Sequence, residues 1–473
     1  MKVSLCIGVL VLAQAAGAYG QGTYLQNSAN FSGDEQLLAE SASGPFVQSY
    51  FNEADTAKSS VSLCSSSCDC GSGCAGNVKS GCCGHKFSWG DDTYVTVGAG
   101  LRLSYNAIEG GNQSGNGGTR QDFSVNNARL YVNGQGHKRI GFEFNTDING
   151  AQGFDYGGNA PFGSQSTGEM RILDAILKFQ LTDNIYLWTG RMLPPSDRSN
   201  LSGPFYTNIW NFPSVQLGYS NIFQGRDDGA ALWGEYGGGV FKWQAGVFEG
   251  ESTGSPVVNG HPAKDNLMFS GRVVLNLLDP EPGYYNSSTY YGAKEILAIG
   301  ATVMHRSDNL ANLAGAPVDY TGWNIDGLFE TKLSNRGVVT LEAAYHSFDD
   351  NDGLDPIFGG APPAVPGISN PPAFLNRQGE SYFVLSSYLF PRKWCLMGVP
   401  GQFQVVGRYQ NYDHDNILGG SGNLGGGTVE VYDSQINYIM FGHNARISAV
   451  WSQLEVAGSA VVDTLTIGTQ VQF

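Results

Sequence analysis

The chain has 473 residues, of which only 14% are charged, whereas about 25% of residues are charged in an ordinary soluble domain. Its 66 glycines and its 12% of aromatic residues suit many strands and tight turns better than a helical bundle. The 42 acidic residues outnumber the 26 basic ones, and the net charge of −16 argues against a nucleic-acid partner, which needs a basic face.

Residues 1–20 have the pattern of a secretory signal peptide, which we expect to be removed on export. Lys2 supplies the positive start, residues 3–16 form a short apolar stretch, and small residues before position 20 offer two cleavage sites. Beyond this stretch, no apolar run approaches the roughly 18 to 20 residues of a membrane-spanning helix. A membrane location would therefore require a closed β-barrel or attachment at the membrane surface.

Residues 21–93 are predicted to form a short, Cys-rich periplasmic extension ahead of the main domain. Exported proteins fold where disulfides persist, so we interpret six clustered cysteines as a disulfide or crosslinking segment whose pairing stays open. The spacing lacks the repeated C-x₂-C pattern of metal sites, which makes metal binding the weaker alternative. The disulfide candidates are Cys64, Cys68, Cys70, Cys74, Cys82 and Cys83.

From Tyr94 onward, apolar and polar residues alternate in the way that indicates half-buried strands. Most segments run for about 9 to 12 residues, close to the length of a tilted transmembrane strand and longer than most strands of soluble sheets. The predicted segments are 94–105, 124–133, 138–147, 170–181, 184–192, 227–237, 239–249, 267–278, 295–305, 321–332, 337–348, 380–390, 402–412, 429–440, 444–452 and 463–473.

The connections between these segments alternate between long and short, as they do in outer-membrane barrels. The sequence therefore predicts an all-β fold, a 16-stranded antiparallel transmembrane β-barrel over residues 94–473. The alternative is a soluble propeller or sandwich, which gives no reason for one face of each strand to be nearly free of charge.

A barrel of this size encloses an aqueous lumen, and the polar parity of each strand would line it. Charges of both signs project inward in this arrangement, and selectivity would depend on the charges at the narrowest point. For each of these residues, simple solvation in a wet lumen is the alternative to a role in selectivity. The pore-lining candidates are Arg102, Arg129, Glu143, Asp174, Lys178, Arg272, Arg408 and Arg446.

The longest connection, residues 193–226, carries more aromatic residues than an exposed loop normally does. We expect it to fold into the channel, where its rings pack against the wall and narrow the bore. An aromatic external or intersubunit loop is the alternative. The candidate constriction residues are Asp197, Arg198 and Arg226.

Four short motifs occur in order along the strands: Asn-Ala-Arg-Leu at 127–130, Asp-Ala at 174–175, Thr-Gly-Arg at 189–191 and Gln-Gly-Arg-Asp-Asp-Gly at 224–229. Together they make the chain resemble the phosphate-selective porin O and P family of outer-membrane channels. The resemblance implies a 16-stranded trimeric pore with loops folded inward. The 193–226 loop lacks a basic cluster, so phosphate selectivity is not carried over.

The final strand alternates and ends in Phe473, which resembles the signal read by the outer-membrane insertion machinery; an ordinary edge strand is the alternative. Two other motifs fail their context tests. The acidic run at 349–353 lacks EF-hand spacing, and the G-x-G-x-x-G sequence at 420–425 is not followed by a helix. The sequence predicts no cofactor, no metal site and no enzymatic activity.

These patterns predict an outer-membrane porin for passive diffusion of ions and small hydrophilic solutes, with anions as one candidate class. The expected partners are outer-membrane lipids, the solutes, the insertion machinery and two further copies in a homotrimer, without nucleic acid. The alternative is a barrel-anchored structural or adhesive surface protein, which the extension at 21–83 motivates. Deleting that extension should spare the conductance of a porin but abolish the envelope attachment of an anchor.

Overall fold

A computed structural model describes the chain from residue 85 to residue 473 with several gaps. The predicted signal peptide and the six clustered cysteines lie outside the described residues, as do most of the motifs at 349–353 and 420–425. The described ranges are 85–89, 92–109, 119–148, 170–213, 226–250, 266–311, 317–349, 355–356, 374–375, 378–396, 398–414, 418–419, 422–423, 427–456 and 461–473.

Sixteen antiparallel strands form one closed β-barrel, which confirms the predicted fold. Each strand pairs with its neighbours in the chain, and β1 pairs with β16 from Gly100–Gln472 to Ile108–Thr464, which closes the barrel. The strands are β1 (Tyr94–Ile108), β2 (Arg120–His137), β3 (Ile140–Ile148), β4 (Met170–Gln180), β5 (Ile185–Met192), β6 (Asp227–Tyr236), β7 (Phe241–Phe248), β8 (Met268–Asn276), β9 (Ile296–Ala311), β10 (Pro317–Lys332), β11 (Val338–Asp349), β12 (Gly379–Leu396), β13 (Val399–His414), β14 (Gly427–Ile439), β15 (Ala445–Val456) and β16 (Val462–Gln472).

The burial pattern is the reverse of that in a soluble protein, because the outward face is apolar and the inward face is polar. In β16, Ile467 and Val471 are 46% and 53% exposed, whereas Thr466 and Gln470, each directly before one of them, are 3% and 0% exposed. Lipid covers the outside of a membrane barrel, so the alternation places apolar groups where they meet hydrocarbon. Within the described residues, no helix is long and apolar enough to cross a membrane.

The sequence leaves open which face of the segments 184–192 and 429–440 meets lipid, and both are regular strands in the structure. In β5, Tyr186 and Trp188 point inward and are buried, while Arg191 faces outward and is exposed. In β14, the alternation of the sequence slips, which suggests a bulge, but the pairing with both neighbours runs without a register shift. Val431 and Ile439 are apolar but inward-facing, and they obscured the alternation.

A short strand precedes the barrel proper and completes its seam. His85–Ser88 pairs with β1, from His85 opposite Val97 to Ser88 opposite Tyr94. Phe473, which follows β16, exchanges backbone hydrogen bonds with Ala99, at 2.9 and 3.0 Å. The short strand therefore covers the part of the β1 edge that β16 does not reach.

The barrel has two unlike ends. Connections after even-numbered strands are mostly tight turns, and the C-terminus lies at the same end, which we call the short-turn end. Connections after odd-numbered strands are mostly long, and they lie at the opposite, long-loop end. One connection from each end does not stay outside. It folds into the barrel and fills part of the interior.

Candidate functional site

The connection after β5 crosses the inside of the barrel, and we call residues 193–213 the crossing loop. It contains the short helix α1 (Arg198–Ser202), whose N-terminus is capped by the Asp197 carboxylate. That carboxylate accepts hydrogen bonds from the backbone N–H groups of Ser199 and Asn200, at 3.0 and 3.4 Å. The side chains of the loop are almost entirely buried. The predicted inward fold of this connection is therefore present over its described residues.

Arginines of the barrel wall bind the C-terminal half of the crossing loop. Three guanidinium groups from three different strands donate hydrogen bonds to backbone carbonyl oxygens of the loop. The bonds are Arg102 to Trp210 (2.5 Å), Arg446 to Thr207 (2.6 Å) and Arg408 to Asn211 (3.0 Å). Carbonyl oxygens on a loop have no helix or strand partner, so such bonds satisfy groups that would otherwise be buried unpaired. These three predicted lining residues thus anchor the crossing loop.

A second connection enters the lumen from the short-turn end, and we call residues 280–294 the inner segment. The β8–β9 ladder continues to Asp279, whose backbone N–H donates to the Glu295 carbonyl oxygen at 2.8 Å. Beyond this pair the chain rises into the barrel, where Tyr284 and Thr289 are completely buried. The sequence showed only an unusually long connection on the short side, and did not predict its inward course.

The crossing loop and the inner segment meet at a buried ion pair. Arg198 and Glu281 make two hydrogen bonds, one of them 2.9 Å long, and their side chains are 1% and 0% exposed. Arg198 also donates to the carbonyl oxygen of Ser287, at 2.7 Å. Burial alone would raise the pKa of Glu281, but the charge and hydrogen bonds of Arg198 hold that pKa below its ordinary value. The pair therefore stays ionised at neutral pH.

Two carboxylates of the wall hold the other end of the inner segment. Glu330 of β10 accepts the backbone N–H of Gly292 at 2.7 Å and the hydroxyl of Thr289 at 2.7 Å. The backbone N–H of Tyr290 also points to this carboxylate, at 3.0 and 3.1 Å from its two oxygens. Glu342 of β11 accepts the hydroxyl of Ser288. The inner segment is thus fixed to the wall by a set of charge-assisted hydrogen bonds.

The remaining predicted site residues form ion pairs along the wall. Each cation lies against a carboxylate of a different, nearby strand, and all are buried. The pairs are Arg129–Asp147 (2.7 Å), Arg226–Asp174 (3.0 Å), Arg272–Asp326 (2.5 Å) and Lys178–Glu143. Arg226 therefore lies on the wall rather than beside Asp197 and Arg198. Within the described ranges, no group of three or more His, Cys, Asp or Glu residues is placed to hold a metal ion.

On one side of the barrel interior, apolar side chains pack together instead of facing water. Trp188 of β5 stacks on Tyr284 of the inner segment, with ring centroids 4.8 Å apart, and meets Trp233 edge-on at 5.4 Å. Leu193 and Leu201 of the crossing loop belong to the same buried cluster. The inward parity of β5 and β6 carries large rings, which is the sequence signal that could have revealed this core. It packs the two inward segments against one side of the barrel.

His443, in the turn between β14 and β15, lies against the inner segment. Its Nε2 is 2.9 Å from the carbonyl oxygen of Thr289, and its ring contacts those of Tyr291 and Tyr206 at 4.8 and 5.0 Å. Burial lowers the pKa of His443 from 6.5 to about 4. The imidazole is thus neutral in the docked arrangement at any pH well above 4.

We expect acidification to loosen the inner segment between pH 6.5 and about 4. A released His443 would take up a proton near pH 6.5, whereas the docked one resists protonation down to about 4. Its contribution to docking is therefore fully present above pH 6.5 and declines as the pH falls through this window. Open-channel current noise recorded from pH 7.5 to 4 should rise in the native protein. The His443→Asn variant should lose that part of the pH dependence, and an unchanged profile would contradict the assignment.

Residues 95–272 match the protein family described as phosphate-selective porin O and P. Among solved structures, OprB of Pseudomonas putida matches with a TM-score of 0.50 and 10% identity, over 81% of this chain and 94% of that one. An anion-selective porin from Comamonas acidovorans gives 0.48 and 12%, over 81% and 100%. OmpT of Vibrio cholerae gives 0.45 and 10%, over 82% and 99%. No relative was found among curated protein sequences.

Proposed function

We infer that this member of the phosphate-selective porin O and P family is an outer-membrane porin, through which ions and small hydrophilic solutes diffuse passively. The observation that carries the inference is a closed barrel with an apolar outer face and a charged interior. In outer-membrane barrels, the tight turns face the periplasm and the long loops face outward. The short-turn end of this barrel is therefore periplasmic. Family and fold point to a channel rather than to an enzyme.

The crossing loop and the inner segment together narrow the bore in this proposal. They enter from opposite ends, meet at Arg198 and Glu281, and cover much of the inner wall. Solutes would pass beside these segments, so only small hydrophilic molecules and ions should permeate. The charged side chains of the wall are buried, as expected if the path beside the two segments is narrow.

Ion selectivity is expected to be weak. The buried charged side chains of the described residues comprise ten cations and ten carboxylates, and most of them lie in pairs. Selectivity arises when one sign dominates the narrowest point, which such a balance prevents. The cations are Arg102, Arg129, Lys178, Arg198, Arg226, Lys242, Arg272, Arg306, Arg408 and Arg446, and the carboxylates are Glu143, Asp147, Asp174, Asp197, Asp227, Glu281, Asp326, Glu330, Glu342 and Asp433.

Planar-bilayer recordings in a potassium chloride gradient test both statements. We expect stable conductance steps and a small reversal potential. The Asp147→Asn and Asp433→Asn variants each leave an arginine without its counter-charge, so the reversal potential should shift toward anion preference. A folded barrel without conductance would overturn the porin assignment. A strong native preference for one sign would contradict only the charge balance.

We also propose that the barrel is a homotrimer and that Phe473 acts in membrane insertion. The Phe473 side chain is 53% exposed on the outside of the seam, where an insertion factor could reach it. Crosslinking of the purified protein tests the trimer, and slower insertion of Phe473→Ala into membranes tests the signal. The alternative of an anchoring surface protein depends on residues 21–83, which lie outside the described part of the chain.

A further inference from the structure

The described residues of the two rims of the barrel carry opposite charge. At the short-turn end, exposed cations outnumber exposed acids, although the whole chain has a large excess of acid. The cations there are Lys86, Lys138, Arg139, Lys332, Arg336, Arg392 and Lys393, and the acids are Asp92, Asp183, Asp279 and Glu295. At the long-loop end, the exposed acids Glu109, Glu249, Asp319, Asp349, Glu380 and Asp413 face one exposed cation within the described residues, Arg191.

The basic rim has its densest part on a hairpin that projects beyond its neighbours. The first residue of β11, Val338, pairs with Leu389, and the last residue of β14, Ile439, pairs with Gln402. The end of β12 from residue 390 and the start of β13 up to residue 401 therefore form a hairpin that extends past the strands on both sides. All residues from 390 to 396 are exposed, and Arg392 and Lys393 are among them.

The outward face of this hairpin has the chemistry of a membrane interface. The Arg392 guanidinium lies 4.1 Å from the centroid of the Trp394 ring, which is itself 44% exposed. Trp394 in turn contacts Phe403, which shares the lipid-facing parity of β13, at 6.1 Å. Aromatic rings with one apolar and one polar side are enriched where lipid hydrocarbon meets the headgroups. We therefore expect Arg392 to lie at the level of the lipid headgroups.

Hydrogen bonds from a residue of β14 fix the position of the hairpin. The Tyr438 hydroxyl lies 2.7 Å from the carbonyl oxygen of Trp394 and accepts the backbone N–H of Leu396 at 3.1 Å. Arg336 lies in the adjacent β10–β11 turn, two residues before Val338. Val338 pairs with Leu389, the last residue of β12 before the hairpin. The exposed side chains of Arg336, Arg392 and Lys393 therefore lie on neighbouring elements of one rim, and we call them the rim patch.

We propose that the rim patch binds the phosphate groups of anionic glycerophospholipids in the inner leaflet of the outer membrane. The short-turn end faces that leaflet, and the cations stand beside the aromatic residues that mark its surface. Each cation near an anionic membrane surface strengthens binding by about fivefold. The described residues of the long-loop rim are mostly acidic and offer no such attraction, so the charge asymmetry also favours one orientation of the barrel.

Electron spin resonance of spin-labelled lipids tests the proposal on the purified full chain in phosphatidylcholine vesicles. Labelled phosphatidylglycerol should associate with the barrel more strongly than labelled phosphatidylcholine, and the preference should weaken in high salt. The double variant Arg392→Gln/Lys393→Gln should lower it severalfold. The matched variant Arg171→Gln/Arg191→Gln removes the same charge near the long-loop end and should leave it unchanged. Heat-modifiable migration on gels shows that every variant has folded.

Three outcomes would overturn the proposal. These are equal association of the two lipids with the native protein, an unchanged preference in the rim-patch variant, and an equal loss in the matched variant, which would indicate bulk charge. If the rim-patch variant keeps its lipid preference but loses binding to isolated peptidoglycan, the partner is the cell wall instead. Because conductance is recorded separately, a failure here leaves the porin assignment untouched.

Discussion

Replacing residues 280–294 with a two-residue Asn-Gly turn is expected to raise the single-channel conductance severalfold. The inner segment fills the lumen from the short-turn end, and its removal takes Tyr284 and Tyr285 out of the apolar cluster. The exposed wall would then be hydrated, and the water-filled cross-section would widen. Planar-bilayer recordings at fixed salt measure the effect directly.

The geometry at the base of the inner segment makes this deletion conservative. Asp279 and Glu295 are already hydrogen-bonded partners, with the Glu295 N–H also donating to the Asp279 carboxylate at 2.8 Å. Asn-Gly is the preferred sequence of a two-residue hairpin turn, so β8 and β9 should remain paired. The barrel strands themselves are untouched. A change in conductance therefore reports on the lumen rather than on the integrity of the wall.

A matched control applies the same turn to a connection that stays outside the lumen. The β10–β11 turn is closed by a backbone hydrogen bond from Leu333 to Gly337, at 2.7 Å. Replacing residues 334–336 with Asn-Gly should leave the conductance unchanged. If the deletion of 280–294 also leaves it unchanged, the inner segment does not narrow the solute path, and the crossing loop alone sets the bore.

The strands were predictable because the membrane imposes a strict alternation on each of them. All sixteen predicted segments overlap a strand of the structure, and the ends differ where strands such as β2, β9 and β12 extend beyond the membrane-facing pattern. Local alternation decides which face of a strand meets lipid, and this information is contained within each segment. The inward fold of residues 193–213 was also predictable, since its aromatic content is unsuited to an exposed loop.

The partners of the inward charges were not predictable, because each pair joins residues of different strands or connections, and some of these are far apart in the chain. Arg102 was predicted to line the pore, but its bond to the Trp210 carbonyl oxygen spans 108 positions. The inner segment escaped prediction for a related reason. Its polar residues, such as Ser287 and Ser288, resemble those of an exposed turn until Glu342 and His443 are known to lie opposite them.

The wall charges therefore hold the two inward segments in place, besides acting on permeating ions. Arginines hold the carbonyl oxygens of the crossing loop, and carboxylates hold the N–H and hydroxyl groups of the inner segment. A buried charge that loses its partner destabilises its surroundings far more than a neutral group does. Substitutions of these residues are thus expected to change conductance through the position of the two segments as well as through charge.

The Arg198–Glu281 pair provides the strongest test of this view. Glu281→Gln leaves a buried guanidinium without its counter-charge, and breaking such a pair typically costs about 3–5 kcal/mol. We expect the inner segment to undock from the crossing loop, with a higher mean conductance and strong open-channel noise. The double variant Arg198→Met/Glu281→Leu removes both charges and should recover much of the quiet, low-conductance behaviour, because no unpaired charge remains.

The exposed pair Arg191–Asp228 supplies the control. It has comparable bidentate geometry, with both bonds 2.8 Å long, but its side chains are 46% and 43% exposed on the outer surface. Exposed pairs contribute little, so Asp228→Asn should leave noise and conductance near native values. Equal effects of the buried and exposed substitutions would mean that the pair does not hold the two segments together. In the His443→Asn variant, acidification should imitate Glu281→Gln only below the ordinary pKa of a glutamate, because Arg198 lowers the pKa of the Glu281 carboxylate.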